Sequence, residues 1–285
     1  MRGEKMKRHS ESQSPLPEEV ITHYASGYEA DRLEINEGKI DRERTRELLA
    51  RFLPSVPATV IDIGGGTGKH ALWLARRGYE VHLIDIVPLH IELARQESAR
   101  QPEYQLASAE VGDACSIDRD DSSVDAALLF GPLYHLTDKK DRLKALSEAH
   151  RVLKTGGVLL AVGISRFAST LDGLHSEFLK DPGFVEIVNG DLKNGQHRNP
   201  TGNPKYFMDT FFHHPDELKA EVTEAGFSDS RVYGVEGPSW LAPNIDEWWK
   251  DDTHRNVLLR IARALESEPA LLGISSHLIV VGVKG

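Results

Sequence analysis

The chain has 285 residues, of which 40% are hydrophobic and 27% charged, a composition typical of a globular protein. Its net charge of −10 and isoelectric point near 5.7 provide no overall positive field for a phosphate backbone, which disfavours nucleic acid as a partner. The single cysteine, Cys115, excludes an intramolecular disulfide and indicates a reducing, cytoplasmic setting. We find no apolar run long enough for a membrane span and no secretory signal, so we expect a soluble protein.

The beginning of the chain differs in composition from the remainder. Residues 1–15 contain a small basic cluster within a polar stretch, which predicts a disordered tail. Residues 16–285 are predicted to form one domain. Within it, residues 16–54 have helical periodicity and are expected to form a helical cap that precedes the sheet.

Strand-like and helical segments alternate from residue 59 onward. The sequence predicts strands over Thr59–Ile63, Glu80–Ile84, Gln105–Val111, Val124–Phe130, Val158–Ile164, Ser230–Val235 and Leu278–Val283. It predicts helices over Lys69–Arg77, Leu89–Ser98, Arg142–Leu153, Pro215–Ala225 and Val257–Leu265. This alternation is typical of an α/β fold, in which a mostly parallel sheet carries helices on both faces.

The alternation is interrupted between residues 166 and 212. Glycines and prolines are scattered there among short apolar stretches, which predicts an insertion with its own short helices. Polar and aromatic side chains in or beside it suit a lid that recognises a small molecule. The candidate substrate-binding residues are His175, His197, Arg198, Tyr206 and His213. No histidine spacing has the H-E-x-x-H form, so no metal site is predicted.

The first predicted strand runs directly into a glycine loop. Residues 62–68 read Asp-Ile-Gly-Gly-Gly-Thr-Gly, and such a loop before a helix lets the main chain approach a nucleotide-like ligand. A P-loop is excluded because its Gly-Lys-Ser/Thr ending is replaced here by Gly-Lys-His. A dinucleotide pattern also fits, since residues 66–71 match Gly-x-Gly-x-x-Ala and Asp85 follows at a suitable spacing.

Further motifs follow this loop in a fixed order. Asp85 follows the second predicted strand, and Gly112-Asp113-Ala114 follows the third. Residues 125–131 lie at the fourth strand, and residues 151–157 precede the fifth. Together with Asp62, Gly64, Gly66 and Gly68, this set resembles the class I S-adenosylmethionine (SAM)-dependent methyltransferase family. Five ordered motifs distinguish this family more specifically than the glycine loop alone.

The resemblance implies a Rossmann-like methyltransferase fold with a mostly parallel seven-stranded sheet, an antiparallel last strand and an insertion after the fifth strand. It implies SAM as the cofactor and S-adenosylhomocysteine as the product. The implied cofactor-binding residues are Asp62, Gly64, Gly65, Gly66, Gly68, Asp85, Ile86, Asp113, Ala114 and Phe130. In similar methyltransferases an N-terminal helix closes over SAM, and here Tyr24, Tyr28 and Arg32 are the candidates on that helix.

The segment after the fourth strand, residues 131–136, lies where ligands bind in open α/β sheets. Methyl transfer is an in-line displacement, so a base is needed only when the acceptor must lose a proton. We predict His135 as the candidate base and Tyr134 as a positioning residue, with transfer to an O or N nucleophile of a small molecule. An NAD(P)-dependent oxidoreductase, a methyltransferase acting on tRNA or protein, and a non-catalytic SAM-binding protein remain alternatives.

Overall fold

The computed structural model describes residues 32–285. Tyr24 and Tyr28 therefore lie outside the described residues, and so does the side chain of Arg32. Within residues 32–285, no helix is long and apolar enough to span a bilayer.

The centre of the fold is a sheet of nine strands in the described part of the chain. In chain order they are β1 (Thr59–Ile63), β2 (Glu80–Asp85), β3 (Ser108–Val111), β4 (Val124–Leu129), β5 (Leu153–Ser165), β6 (Gln196–His197), β7 (Thr210–His213), β8 (Phe227–Gly234) and β9 (His277–Lys284). Strands β3, β2, β1, β4 and β5 are parallel neighbours, β9 runs antiparallel beside β5, and β8 pairs with β9.

Ten α-helices surround this sheet in residues 32–285. They are α1 (Gly38–Phe52), α2 (Lys69–Ala75), α3 (Pro88–Ala99), α4 (Pro132–His135), α5 (Lys139–Val152), α6 (Ala168–His175), α7 (Pro182–Asn194), α8 (Pro215–Glu224), α9 (Ile245–Trp249) and α10 (Asp252–Leu265). Short 3₁₀ turns connect several of them, including Arg32–Glu34 before α1 and Gly237–Leu241 after β8.

The predicted α/β methyltransferase fold is confirmed, and each of the seven predicted strands corresponds to an observed one. The sheet gains two strands that the sequence did not predict, β6 within the segment 166–212 and β7 at its end. They are two and four residues long, too short for alternation to be recognised. Strand β7 pairs with Ile164 and Ser165 of β5, beyond Ala161, the last residue of β5 that pairs with β4. It therefore extends the sheet past the end of β4.

Two apolar clusters fill the space on the two faces of the sheet. Alternate residues of a strand point to opposite faces, so Val60 and Leu128 join one cluster while Ile61 and Leu129 join the other. Helix α1 packs into the first cluster, and helices α5 and α8 pack into the second. Because both faces are covered, the exposed route to the sheet is the edge formed by the strands' carboxyl ends.

Candidate active site

The glycine loop after β1 adopts a conformation that depends on its glycines. Gly64, Gly66 and Gly68 have φ values of 69°, 58° and 79°, in the left-handed region that other residues seldom occupy. At Gly65 the restriction is one of space, because a Cβ would lie 2.4 Å from Asp62 Oδ2. The loop is thereby held tightly against the sheet and presents main chain, instead of side chains, to a ligand.

Asp85, at the end of β2, fixes this loop from the neighbouring strand. Its Oδ2 accepts a hydrogen bond from the Gly66 N–H at 2.8 Å, and its Oδ1 accepts one from the Val87 N–H at 2.9 Å. His90 Nδ1 lies 3.1 Å from Oδ1. The carboxylate is thus held at the mouth of the loop, where its remaining lone pairs can accept hydrogen bonds from ligand hydroxyls.

Asp62 lies beneath the loop and is almost completely buried. Its Oδ1 has no hydrogen-bond partner among residues 32–285. Burial, together with the nearby Asp85 carboxylate, raises the pKa of Asp62 to about 7. A buried carboxylate with an unused acceptor is suited to a cationic group brought in by a ligand.

A cavity of about 150 Å³, which we call the loop cavity, opens beside the glycine loop. Predicted residues in its wall are Gly64, Gly65, Gly66, Asp85, Ile86, Asp113, Ala114, Phe130, Tyr134 and His135. Asp62 and Gly68 are not in the wall and support the loop from behind. His135 is buried in the short helix α4, and its ring lies 4.6 Å from that of Tyr134.

A second cavity, of about 230 Å³, which we call the aromatic cavity, lies next to the first. Its rings come from α4, from the segment 166–212 and from the turn after β8, and they are Tyr134, Phe184, Tyr206, Phe207, Phe212 and Trp240. Its wall also contains the carboxylates Glu37, Asp41, Asp172 and Glu236, and the cation Lys205. Asp41, Tyr134 and His277 line both cavities, so the two spaces share a boundary.

Of the predicted substrate-binding residues, only Tyr206 lines one of these cavities. His197 is buried one layer behind, between the Asp191 carboxylate and the Tyr206 carbonyl oxygen. Arg198 pairs with Gln196 and Asp209, and His175 is exposed at the end of α6. The structure therefore does not bring His175, His197 or Arg198 to a cavity wall.

His213, the remaining candidate, belongs to a buried ionic cluster. Its Nε2 lies 3.3 Å from Glu221 Oε2, and Glu221 receives two hydrogen bonds from Arg142, at 2.9 and 2.7 Å. Burial lowers the pKa of His213 although the Glu221 carboxylate opposes that shift. Arg142 also donates to the carbonyl oxygens of Leu136 and Thr137. The cluster consequently holds the segment that follows α4.

Three residues that line the aromatic cavity were missed by the sequence analysis: Asp41, Glu236 and His277. They belong to α1, to the turn after β8 and to the start of β9. The sequence did contain a signal for Glu236 and His277, because β8 and β9 were predicted as consecutive strands. Antiparallel pairing of consecutive strands places the end of one beside the start of the next, and Val235 N–H does bind the His277 carbonyl oxygen.

Comparison with known proteins agrees with this architecture. A family model described as "Methyltransferase domain" matches residues 61–161. A protein from Geobacter sp. (strain M21) named "Ubiquinone/menaquinone biosynthesis C-methyltransferase UbiE" is 30% identical over 206 residues, or 70% of this chain and 82% of that protein. A protein of the same name from Acidiphilium cryptum (strain JF-5) is 36% identical over 122 residues, 42% of this chain and 48% of its own length. A solved SAM-dependent methyltransferase from Methanosarcina mazei has a TM-score of 0.55 at 21% identity, covering 83% of this chain and 96% of its own.

The chain belongs to the class I SAM-dependent methyltransferase family. This membership identifies the methyltransferase as an enzyme that uses SAM, and it sets aside the NAD(P)-dependent and non-catalytic alternatives.

The loop cavity of the methyltransferase fits this cofactor. Asp85 presents carboxylate oxygens for ribose hydroxyls, and Asp113 and the Ala114 main chain are available for adenine. Behind the loop, Asp62 Oδ1 is an acceptor without a partner among the described residues, which suits an amino group. Phe130 and the neighbouring valines supply apolar surface. We propose that the loop cavity holds SAM.

Proposed function

We propose that this methyltransferase transfers a methyl group to an O or N nucleophile of a small molecule with an aromatic or other flat apolar part, bound in the aromatic cavity. The observation that carries the proposal is the shared boundary of the two cavities at Asp41, Tyr134 and His277. A molecule in the aromatic cavity meets the loop cavity there. Adjacent reactants in fixed positions provide the alignment that an in-line displacement requires.

The lining of the aromatic cavity supports a small acceptor. Aromatic rings offer apolar area and stacking surfaces, whereas a few polar groups orient the ligand. Tyr206 is fixed there, since its hydroxyl donates to Asp181 at 2.7 Å. A methyltransferase acting on RNA is disfavoured because four carboxylates and only one lysine line this cavity.

When bound, SAM supplies an electrophilic methyl group whose bond to sulfur breaks as the bond to the acceptor forms, with the sulfur keeping the electron pair. The chain contributes position and exclusion of water. Tyr134 lines both cavities and would orient the acceptor, whereas His135 lines the loop cavity. Tyr134 remains our proposed positioning residue, whereas His135, the base predicted from the sequence, does not line the aromatic cavity in which the acceptor is proposed to bind.

A second candidate function is methylation at carbon. The two relatives compared above are named as C-methyltransferases of quinone biosynthesis, and a hydroquinone ring would suit the aromatic lining. An electron-rich ring carbon needs the same alignment with the methyl group, so the two candidates differ in the atom methylated and share the cavity.

The test is a labelled-methyl screen of fractionated metabolites, phenols, amines, hydroquinones, RNA and protein. We expect label in a small molecule. Ala168→Phe places a ring in the wall of the aromatic cavity and should abolish transfer while SAM affinity stays within about two-fold, because Ala168 does not line the loop cavity. Leu174→Phe on the exposed side of the same helix is the control. Label confined to RNA or protein, or full transfer by Ala168→Phe, contradicts the proposal.

A further inference from the structure

At the boundary between the cavities, a buried carboxylate holds an imidazole in a fixed position. Glu236 is fully buried, and its Oε1 lies 2.5 Å from His277 Nδ1. Its Oε2 accepts hydrogen bonds from the Ser275 hydroxyl at 2.8 Å and from the His277 main-chain N–H at 3.0 Å. Both oxygens of Glu236 are therefore engaged, and the carboxylate has little freedom to turn away from the ring.

The surrounding main chain makes this pair rigid. Ser275 Oγ accepts hydrogen bonds from the N–H groups of Glu236 and Gly237, at 3.0 and 3.1 Å. Glu236 follows β8 and His277 begins β9, two strands that pair from Gly234 and Leu278 onward. Groups held by adjacent strands keep their relative position better than groups on separate loops.

This arrangement determines which ring nitrogen is basic. With Glu236 as the acceptor in this contact, Nδ1 of His277 carries the proton, and Nε2 is then the acceptor nitrogen of the neutral ring. The His277 side chain is 20% exposed and lines both cavities. A carboxylate that fixes the tautomer of a histidine and stabilises its protonated form is the arrangement that general bases use.

We propose that His277, held by Glu236, takes the proton of the methyl acceptor in the reaction proposed above, on which this inference rests. The proton moves from the acceptor's O–H or N–H to His277 Nε2 as the acceptor's electron pair forms the bond to the methyl carbon. The resulting imidazolium later returns the proton to water. His135, which lines the loop cavity alone, contacts the cofactor side.

Charged side chains other than Glu236 also lie near His277. Asp41 Oδ2, from helix α1, lies 3.8 Å from His277 Nδ1. Glu37, Asp172 and Lys205 line the aromatic cavity together with His277. A carboxylate close to an imidazole stabilises its protonated form, which is the form that a base reaches after it accepts a proton.

Asp41, Glu236 and His277 also offer ligand atoms within 4.8 Å of one another, a spacing compatible with a metal ion. We favour the base because the short contact between Nδ1 and Oε1 already uses both atoms in a hydrogen bond. A cation would have to displace the shared proton. Metal binding is an outcome that the experiment below distinguishes.

The first experiment needs no acceptor. Long-range ¹H–¹⁵N spectra of histidine-labelled protein with S-adenosylhomocysteine, assigned through His277→Asn, report the tautomer and the titration of the ring. We expect the Nδ1–H tautomer in the parent. In Glu236→Gln we expect a titration midpoint lower by about one pH unit or more, with an intermediate change in Ser275→Ala. An Nε2–H tautomer, or a midpoint unaffected by Glu236→Gln, overturns the proposal.

The second experiment uses the acceptor found in the labelled-methyl screen. His277→Asn should lower kcat about 10²- to 10⁴-fold and remove the acidic limb of the pH profile, while S-adenosylhomocysteine affinity changes less than about three-fold. His135→Asn should retain that limb. Saturable Zn²⁺ or Mn²⁺ binding that disappears in His277→Asn, with activity lost to chelator, would instead establish a metal site. A screen without any small-molecule acceptor refutes the proposed function, whereas the spectra still decide the role of the pair.

Discussion

Asp62 shows how one residue can serve both the loop and the ligand. The resemblance to class I methyltransferases implied that Asp62 binds the cofactor. The structure places its Oδ2 against Gly65 and leaves its Oδ1 without a partner among the described residues. Its raised pKa, about 7, makes both roles depend on pH near neutrality.

Asp62→Asn should weaken SAM binding about ten-fold or more at pH 7.5, because the amide lacks the negative charge that attracts the SAM ammonium group. In the parent, affinity should rise between pH 6 and 7.5 as Asp62 ionises, and in Asp62→Asn this rise should be smaller. Isothermal titration at several pH values measures both effects. Equal affinities and parallel pH profiles in the two proteins would remove Asp62 from cofactor binding.

The same substitution should act in the opposite direction on the ligand-free fold. Between about pH 4 and pH 7 the unfolded chain ionises Asp62 while the folded chain keeps it protonated, so folding stability falls as the pH rises. A shift from 3.8 to about 7 corresponds to a loss of at most roughly 4 kcal/mol at alkaline pH. Urea denaturation of ligand-free Asp62→Asn should therefore depend less steeply on pH across this window. If stability depends on pH equally steeply in the two proteins, folding does not raise the pKa of Asp62.

Among the elements, α5 and α8 are joined by the ion pair of Arg142 and Glu221. Both side chains are 3% exposed, and the Arg142 guanidinium lies 3.6 Å from the centre of the Phe211 ring in β7. Burial raises the pKa of Glu221, but hydrogen bonds from Arg142 and His213 outweigh it and bring the value to about 2. One pair thus connects two helices, the added strand and the segment after α4.

Glu221→Gln should reduce the free energy of unfolding by roughly 3 to 5 kcal/mol, since it leaves the Arg142 charge buried without its partner. In the parent, Glu221 stabilises the fold above about pH 4.5, and this contribution should be lost as the pH falls toward 2. Chemical denaturation measures the change. Glu224→Gln, on the exposed side of the same helix, is the control and should have little effect; similar losses in both variants would refute the special role of the buried pair.

How far the sequence predicts each element depends on the length of its signal. Strand β1 was predicted over the observed residues because four of its five residues are β-forming and three consecutive glycines follow it. Strand β5 was predicted to begin at Val158, but it begins at Leu153, since Gly156 and Gly157 in its first part read as a turn. Helix α4 was missed because a single turn of four residues has no periodicity to detect.

Site residues were predictable where a motif fixes them and unpredictable where tertiary structure does. The glycine loop and Asp85 were predicted because their motifs lie directly beside predicted strands. His197 and His213 resembled ligand-binding residues in composition, yet their partners Asp191 and Glu221 lie on helices whose packing the sequence did not specify. Asp41, Glu236 and His277 come together only in the folded chain, and Asp41 and His277 are 236 positions apart in the sequence.

At the scale of the whole molecule, stabilisation of the fold by a ligand tests which cofactor the loop cavity binds. SAM or S-adenosylhomocysteine at a hundred times its dissociation constant should stabilise the fold by about 2.7 kcal/mol, visible as a rise in melting temperature. NADH at the same concentration is the control and should produce no rise. A melting temperature that increases with NADH and not with the SAM-related ligands would contradict the assignment of this cavity.

The division of the molecule into two cavities with a shared boundary has an evolutionary consequence. The matched family region, residues 61–161, contains the glycine loop, Asp85 and Asp113, whereas most of the aromatic cavity lies outside it, in α1, the segment 166–212 and the residues beside β8 and β9. Related proteins can therefore change the aromatic cavity by insertion and substitution while they keep the loop cavity. Redesign for a new acceptor can follow the same route, by varying Phe184, Phe207 or Trp240 and leaving the loop untouched.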